Sequence, residues 1–236
     1  MKAPVVCIDG PAASGKTTIA KILAERLGYF YLDTGVLYRA VTWVALERGI
    51  PPSDGEKLAK LASETQIEVK PAPSSDPRQT IVLADGDDVS LAIRSPEVDA
   101  NVSEVSAHPE VRGALIDLQR SMAEKGGVIL AGRDAGTVVW PEAEVKLFLM
   151  ASEEERARRR QKQAESQGIT VDFEQVLAEL RRRDAYDSGR AVAPLRPAPD
   201  AVVLDTTTMT IEEVVERSLA IFQEKTGLTV FPPGRS

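Results

Sequence analysis

The octapeptide running from Gly10 through Pro11, Ala12, Ala13, Ser14, Gly15 and Lys16 to Thr17 places two glycines five residues apart and ends on a lysine–threonine pair. This is the G-x-x-x-x-G-K-[ST] spacing of a phosphate-cradling loop. Gly10 and Gly15 permit backbone conformations that a β-carbon blocks, so consecutive amides can turn inward around phosphate oxygens at the start of a helix. Lys16 would reach the β- and γ-phosphates of ATP, and the Thr17 hydroxyl would ligate Mg²⁺. Thr18 completes the predicted ATP contacts of the loop. The pattern specifies a nucleoside triphosphate but not the acceptor of its phosphate.

Arginines suggest where that acceptor binds. The chain carries a net charge of −7, yet Arg156, Arg158, Arg159, Arg160, Arg181, Arg182, Arg183, Arg190 and Arg196 crowd one segment. Arg39, Arg112 and Arg133 lie outside it, beside glycine-bounded turns or helix starts. Arg158 and Arg181 read best as solvated helix-face residues. Arg133 differs, because "AGRDAG" is a tight turn directly after an apolar run. Arg183 and Asp187 are four residues apart, which puts them on one helix face, and Arg190 follows beyond Gly189. Arginines that converge near a triphosphate can hold a phosphate-bearing acceptor through bidentate contacts and neutralise charge on the moving phosphoryl group.

Alternating strands and helices must position these groups. "PVVCID" reads as a buried strand, and Ile19, Ile22, Leu23 and Leu27 form the apolar stripe of the helix after it, with Gly28 as its C-terminal cap. "YFYLDTG" is a second strand and turn. Leu37, Val41, Val44 and Ala45 face inward on the next helix. Ser53 and Glu56 have capping-box spacing. Strands joined by a Pro/Ser-rich loop follow near residues 65–90. Pro96 and Pro109 are placed to begin helices. "GGVILAGRDAG", "EVKLFLM" and "DAVVLDTT" are further strands, and Phe173, Val176, Leu177 and Leu180 stripe one helix. The helix "ASEEERARRRQKQAESQG" is so charged that it is expected outside any core. Thr210 and Glu213 cap a final helix, and the tail "GLTVFPPGRS" is expected to be loosely held. The alternation predicts an α/β fold with a central parallel sheet of about five strands flanked by helices. In such sheets ligands bind at the carboxyl ends of the strands, where Asp33 and Thr34 of "LDTG" and Arg133 and Asp134 of "GRD" fall.

Bulk composition narrows the function. An acidic chain argues against a general nucleic-acid or membrane-surface binder. No apolar run reaches the roughly 18 residues of a spanning helix, and the N-terminus lacks a signal-peptide layout, so a cytoplasmic location is expected. Cys7, the single cysteine, sits in an apolar run and reads as a small buried hydrophobe. His108, the single histidine, precedes Pro109 and reads as a cap or surface residue. The phosphate loop alone is shared by GTPases, ATPases, helicases and small-molecule kinases. The N-K-x-D guanine reader and the D-x-x-G switch are both absent, which favours a small-molecule kinase. Shikimate or uridylate kinases and a nucleotide-dependent regulatory switch are the alternatives.

The stretches "IDGPAASGKTT", "LDTGVLYR", "AGRDAGTVVWP", "ASEEERARRR", "RRRDAYDSGRAVAPL" and "VLDTTTMTIEEVV" together resemble the bacterial cytidylate kinases, nucleoside monophosphate kinases that phosphorylate CMP and dCMP. The motifs occur in family order across nearly the whole chain. The resemblance implies one P-loop kinase domain over residues 1–236, with a monophosphate-binding insertion near 35–108 and a lid near 152–190. It implies that Ser103, Arg112 and Asp134 face the cytosine ring, Arg39, Arg133 and Arg190 the phosphate, and Arg183 and Asp187 the sugar. Thr34 joins this CMP set. Arg156, Arg159 and Arg160 fall in the segment that closes over ATP. Lys16, Arg133, Asp134 and Arg190 are the expected catalytic residues. ATP and Mg²⁺ are the implied co-substrate and cofactor, and a monomer is expected. Ala131 stands where many members carry an acidic residue, leaving Thr17 and Asp33 as metal-side candidates.

Overall fold

The computed structural model describes residues 2–73, 80–166 and 168–229. The chain forms two compact units, one of residues 1–31 with 125–236 and one of residues 32–124.

The first unit is built on β1 (Val5–Asp9), β6 (Val128–Gly132), β7 (Val145–Met150) and β8 (Val202–Asp205); with β2 (Phe30–Asp33), whose last two residues fall in the second unit, they form a five-stranded sheet in the order β2-β6-β1-β7-β8. β1 pairs in parallel with β6 and β7, and β7 with β8. All five residues of both β1 and β6 are buried. Strands covered on both faces need near-continuous apolar runs rather than alternation, which is what "VVCID" and "VILAG" supply. The register sets Asp9 opposite Gly132 on one side and Phe148 on the other. The loops that begin at Gly10 and Arg133 therefore leave the same edge of the sheet.

Helices α1 (Lys16–Leu27) and α8 (Ile211–Thr226) pack together against this sheet. Ile19 and Leu23 of α1 meet Val215, Leu219 and Phe222 of α8 in one buried cluster, with Ile22 and Leu27 at its margin. The Tyr29 and Phe222 rings meet edge-on at 5.9 Å. Gly28 ends α1 at φ 68°, a left-handed conformation that glycine adopts without steric cost. The expected capping box at Thr210 and Glu213 is present in both directions.

Helices α6 (Glu153–Ser166) and α7 (Phe173–Ser188) form a hairpin in the same unit. Here the sequence-based expectation needs correction, because α6 is not simply a solvated charged rod. Ala157 is fully buried against Val176, Leu177 and Leu180 of α7, and Arg156 beside it is also buried. A small residue lets the helices approach closely, so one alanine and a buried guanidinium substitute for the missing apolar stripe. Arg158 and Arg181 are exposed and pair with Glu155 and Glu153, as expected for surface ion pairs that contribute little stability.

The second unit comprises α2 (Gly35–Glu47), α3 (Gly55–Glu64), α4 (Pro96–Val105), α5 (Pro109–Ala123) and an antiparallel sheet of β3 (Ile67–Pro71), β4 (Thr80–Ala84) and β5 (Asp87–Asp88). Leu37, Val41 and Val44 of α2 pack with Leu58, Leu61, Ile93, Val105 and Leu115. Pro96 and Pro109 begin their helices as expected. The cap of α3 is Asp54 rather than Ser53: the Asp54 carboxylate accepts from the Lys57 amide, moving the capping position by one residue. His108 precedes α5 without capping it through its side chain. Its Nε2 instead lies 2.8 Å from the Pro52 carbonyl oxygen. The Pro/Ser-rich connection at residues 74–79 and the end of the tail, residues 230–236, lie outside the described residues.

Candidate functional site

The phosphate loop links the buried end of β1 to α1. Gly10 takes φ 149° and Gly15 φ 94°. A β-carbon on Gly10 would overlap the Leu149 carbonyl oxygen of β7, so glycine is required there by both conformation and space. Ala13, also at positive φ (58°), completes the winding. No side chain caps the start of α1, and the N-terminus of a helix suits an anion. The Ser14 hydroxyl is buried and has no hydrogen-bond partner among the described residues. Lys16 is buried and donates from Nζ to the Pro11 carbonyl oxygen at 2.6 Å, folding back over the loop. Pro11 and Ala12 are half-buried along the loop, and Thr17 and Thr18 are exposed on the first turn of α1.

Two arginines of α6 reach this loop. Arg156 donates to the Ala12 carbonyl oxygen at 3.3 Å and to Ala151 O at 3.1 Å, and it pairs with Asp184 of α7 at 2.6 Å. Arg159 donates to Ser14 O at 3.4 Å, to Thr206 O at 2.6 Å and to Thr206 Oγ1 at 3.1 Å, with Glu155 on its Nε. Both guanidiniums thus tie loop carbonyls to neighbouring elements. Arg160 is exposed and donates to the Gln163 side chain instead.

A second group forms where β6 ends. Arg133 donates from Nε to Asp187 Oδ2 at 2.8 Å, and Arg190 pairs with Asp187 Oδ1. Both oxygens of one buried carboxylate are therefore taken by two guanidiniums. Burial pushes the Asp187 carboxyl up, but Arg133, Arg190 and Arg183 outweigh that and hold it below the usual carboxylate range. Arg183 and Asp187 are both on α7, four residues apart, and the helix stops at Ser188 with Gly189 as its cap, so Arg190 is on the following loop. The Arg190 guanidinium lies 5.7 Å from the Tyr186 ring centroid. Asp134 is buried, and its carbonyl oxygen accepts from Val138 and Val139 in a π-helical turn spanning Ala135–Val139.

The second unit holds the other candidates. Arg39 of α2 pairs with Asp99 at 2.6 Å and donates to Ile93 O at 3.0 Å. Arg112 of α5 is buried, donates to Ser106 O at 2.9 Å, and lies over the Tyr38 ring at 5.2 Å. Ser103 is half-buried on α4. Thr34 is buried at the start of α2, where Asp33 accepts from the Gly35 amide at 3.0 Å.

Sequence reasoning missed four residues. Asp9, Asp99 and Asp184 are acidic partners of groups near these sites, and Tyr38 supplies a flat face for Arg112. Asp9 carried a signal, as the lone charge in an apolar strand immediately before Gly10. Asp99 and Asp184 had none beyond helical spacing. For a metal, no cluster of three or more His, Cys, Asp or Glu able to hold an ion occurs among the described residues. The Thr17 hydroxyl and the Asp33 carboxylate are hard oxygen donors. They suit Mg²⁺, which keeps waters and takes further ligands from substrate phosphates rather than from a protein cage.

Comparison with known proteins gives the family. The cytidylate kinase family model matches residues 6–224. The chain is 50% identical over 220 residues to a cytidylate kinase of Anoxybacillus flavithermus (strain DSM 21510 / WK1), covering 93% of this chain and 96% of the relative. It is 51% identical over 222 residues to a cytidylate kinase of Geobacillus kaustophilus (strain HTA426), covering 94% and 97%. It also aligns over 221 residues, at 48% identity, with a bifunctional pantoate ligase/cytidylate kinase of Synechococcus sp. (strain JA-3-3Ab), covering 94% of this chain but 41% of the length of that relative. With a phosphate loop at the end of β1 and a family match over almost its full length, the chain belongs to the cytidylate kinase family.

Proposed function

We propose that the protein transfers the γ-phosphate of ATP to CMP or dCMP, giving ADP and CDP or dCDP. The observation that carries this reading lies in the first unit. The same sheet edge bears a wound phosphate loop and, at the end of β6, a carboxylate-held pair of arginines, Arg133 and Arg190. One suits a triphosphate and the other a phosphate-bearing acceptor.

ATP phosphates lie against the amides of residues 10–18, with Lys16 moving from the Pro11 carbonyl to the β- and γ-phosphates. Arg156 and Arg159 hold the loop from the α6 side. Thr17, with Asp33 as a second candidate, would hold Mg²⁺, which would neutralise charge on the phosphates. Arg133, Arg190 and Arg39 hold the acceptor phosphate, and Arg183 and Asp187 its sugar. Cytosine offers an amine donor, a ring nitrogen acceptor and a carbonyl acceptor. Asp134 accepts from the amine, while Arg112 and Ser103 donate to the acceptors. No covalent intermediate is needed, because the acceptor phosphate is already a nucleophile near neutral pH. Positioning and charge stabilisation then supply most of the catalysis. Residues 152–190 act as the lid that excludes water, and residues 35–108 carry acceptor contacts. The protein works as a cytoplasmic monomer on small nucleotides, without nucleic acid or membrane partners.

The test is a coupled ADP-release assay with CMP, dCMP, UMP, AMP, GMP and shikimate as acceptors. Release fastest with CMP or dCMP is the expected result. Release equal across all acceptors, or ATP hydrolysis indifferent to any of them, would sink the proposal.

A further inference from the structure

Asp9 is a buried carboxylate that the mechanism above does not use. It is the last residue of β1, one position before the phosphate loop, and is 4% exposed. Its side chain points not at that loop but at the turn after β6. Oδ1 accepts from the Ala135 amide and Oδ2 from the Gly136 amide, both at 2.8 Å. These are the first two amides of the π-helical turn Ala135–Val139. The opening N–H groups of any helix lack intrahelical acceptors, so Asp9 caps this turn from a different strand. The residues immediately before the capped amides are Arg133 and Asp134.

The turn is also gripped from its other side. A β-carbon on Gly136 would lie 3.3 Å from Cys7 Cβ and 3.3 Å from Cγ and Cδ of Lys146. Lys146 is itself fixed by Asp200 at 2.8 Å and by the Pro141 carbonyl. Glycine at this position lets the turn lie close to β1 and β7, where one carboxylate meets two successive amides; a β-carbon would have to push its neighbours back.

We propose that Asp9 is a positioning residue for the acceptor side: it holds the turn that sets Arg133 and Asp134, and leaves the ATP loop largely untouched. The inference rests on the reading that these two residues bind the acceptor. An amide in place of the carboxylate can accept from one N–H only and turns its own NH₂ toward the other. Two short hydrogen bonds become one bond and a repulsion, in a place water cannot reach.

Ionisation of Asp9 offers a second handle. Burial pushes its carboxyl up to about 6 in spite of the two amide hydrogen bonds; Asp134 at the head of the turn raises it further and Lys16 of α1 opposes this. Cys7 on the same strand stays a neutral thiol, its own ionisation pushed well above the usual range by burial. As pH falls through about 6, Asp9 takes a proton and one of its two acceptor oxygens is weakened.

The experiment compares the parent with Asp9→Asn, each also in a Trp43→Phe background so that emission reports Trp140, which closes the turn through its amide on Ala135 O at 2.8 Å. Asp9→Asn should lower kcat/KM for CMP by about 10- to 100-fold, leave KM for ATP within about twofold of the parent, and shift Trp140 emission. The parent-to-variant ratio of kcat/KM should fall as pH drops below about 6; using the ratio cancels the titration of the nucleotide's own phosphate. If Asp9→Asn does not fold, Gly136→Ala disturbs the same turn from the β7 side and should give the same split between CMP and ATP. Parental kcat/KM for CMP in either variant, or a rise in KM for ATP matching the loss on CMP, overturns the inference. Absence of CMP-dependent ADP release in the parent overturns instead the function proposed above, while the Trp140 shift still reports on the clamp.

Discussion

Asp187→Ala removes the carboxylate that two arginines share. The Asp187 side chain is 2% exposed, and Arg133 and Arg190 are 19% and 7% exposed, so both guanidiniums would be left partly buried without their anion. Removing one partner of a buried ion pair costs about 3–5 kcal/mol. Water can reach Arg133 in part, which favours the lower end, about 3 kcal/mol. For a chain of this size each kcal/mol shifts Tm by about 2–4 °C, so a fall of about 6–12 °C is expected. The pH dependence has a definite sign. The folded-state carboxyl is held below its ordinary range, so its stabilisation is present above that range and is lost as pH falls through the folded value. The Tm gap between parent and variant should therefore close in acid. Inorganic phosphate should also narrow it at neutral pH, because it returns an anion to the two arginines without any sugar contact. The assay is differential scanning fluorimetry of both proteins across pH, with and without phosphate. Coincident Tm values at neutral pH, or equal phosphate shifts in parent and variant, would refute the reasoning.

Lys16→Ala should cut turnover severely while calorimetric CMP affinity stays near the parental value, because in the proposed mechanism Lys16 acts on the transferring phosphates. Uracil replaces the cytosine amine by a carbonyl and protonates the ring nitrogen, so under the proposed base contacts Asp134 and Arg112 each lose a matched partner. At about 1–3 kcal/mol for each unsatisfied buried group, kcat/KM should favour CMP over UMP by roughly 10²–10⁴. Asp134→Ala should narrow that ratio and Arg39→Ala should preserve it while lowering both rates; the opposite pattern means base and phosphate roles are exchanged. The Asp9 carboxyl, raised from 3.8 to about 6, makes its contribution to stability below the lower value and loses it as pH rises through the upper one. That cost approaches about 3 kcal/mol at neutral pH. Denaturant unfolding of the parent should thus weaken from acid to neutral pH relative to Asp9→Asn, and identical pH dependence in both proteins would count against it.

Features that depend on a few neighbouring residues were open to sequence reading. The phosphate loop is one, because its glycine spacing is a local conformational demand that Gly10 and Gly15 meet at positive φ. The buried strands β1 and β6, the inward stripe of α2 and the capping box at Thr210 and Glu213 are others, since each follows from periodicity or from bonds within one turn. A local rule also has a margin of error of about a residue, which is how Asp54 came to cap α3 in place of Ser53. Pairings across the chain followed different physics. Arg133 and Asp187 are 54 residues apart, and Asp9 and Gly136 are 127 apart. No periodicity links them. Their meeting is set by parallel strand register and by the packing of α7, and only the folded backbone brings those together. The burial of Arg156 shows the same thing from the side of solvation. A charge-rich helix looks solvent-facing in sequence, but a low-dielectric contact is tolerated where Asp184 and the Ala12 and Ala151 carbonyls surround the guanidinium. Which charges stay in water and which are drawn inward depends on whether a partner waits in three dimensions, and that is decided by the tertiary structure alone.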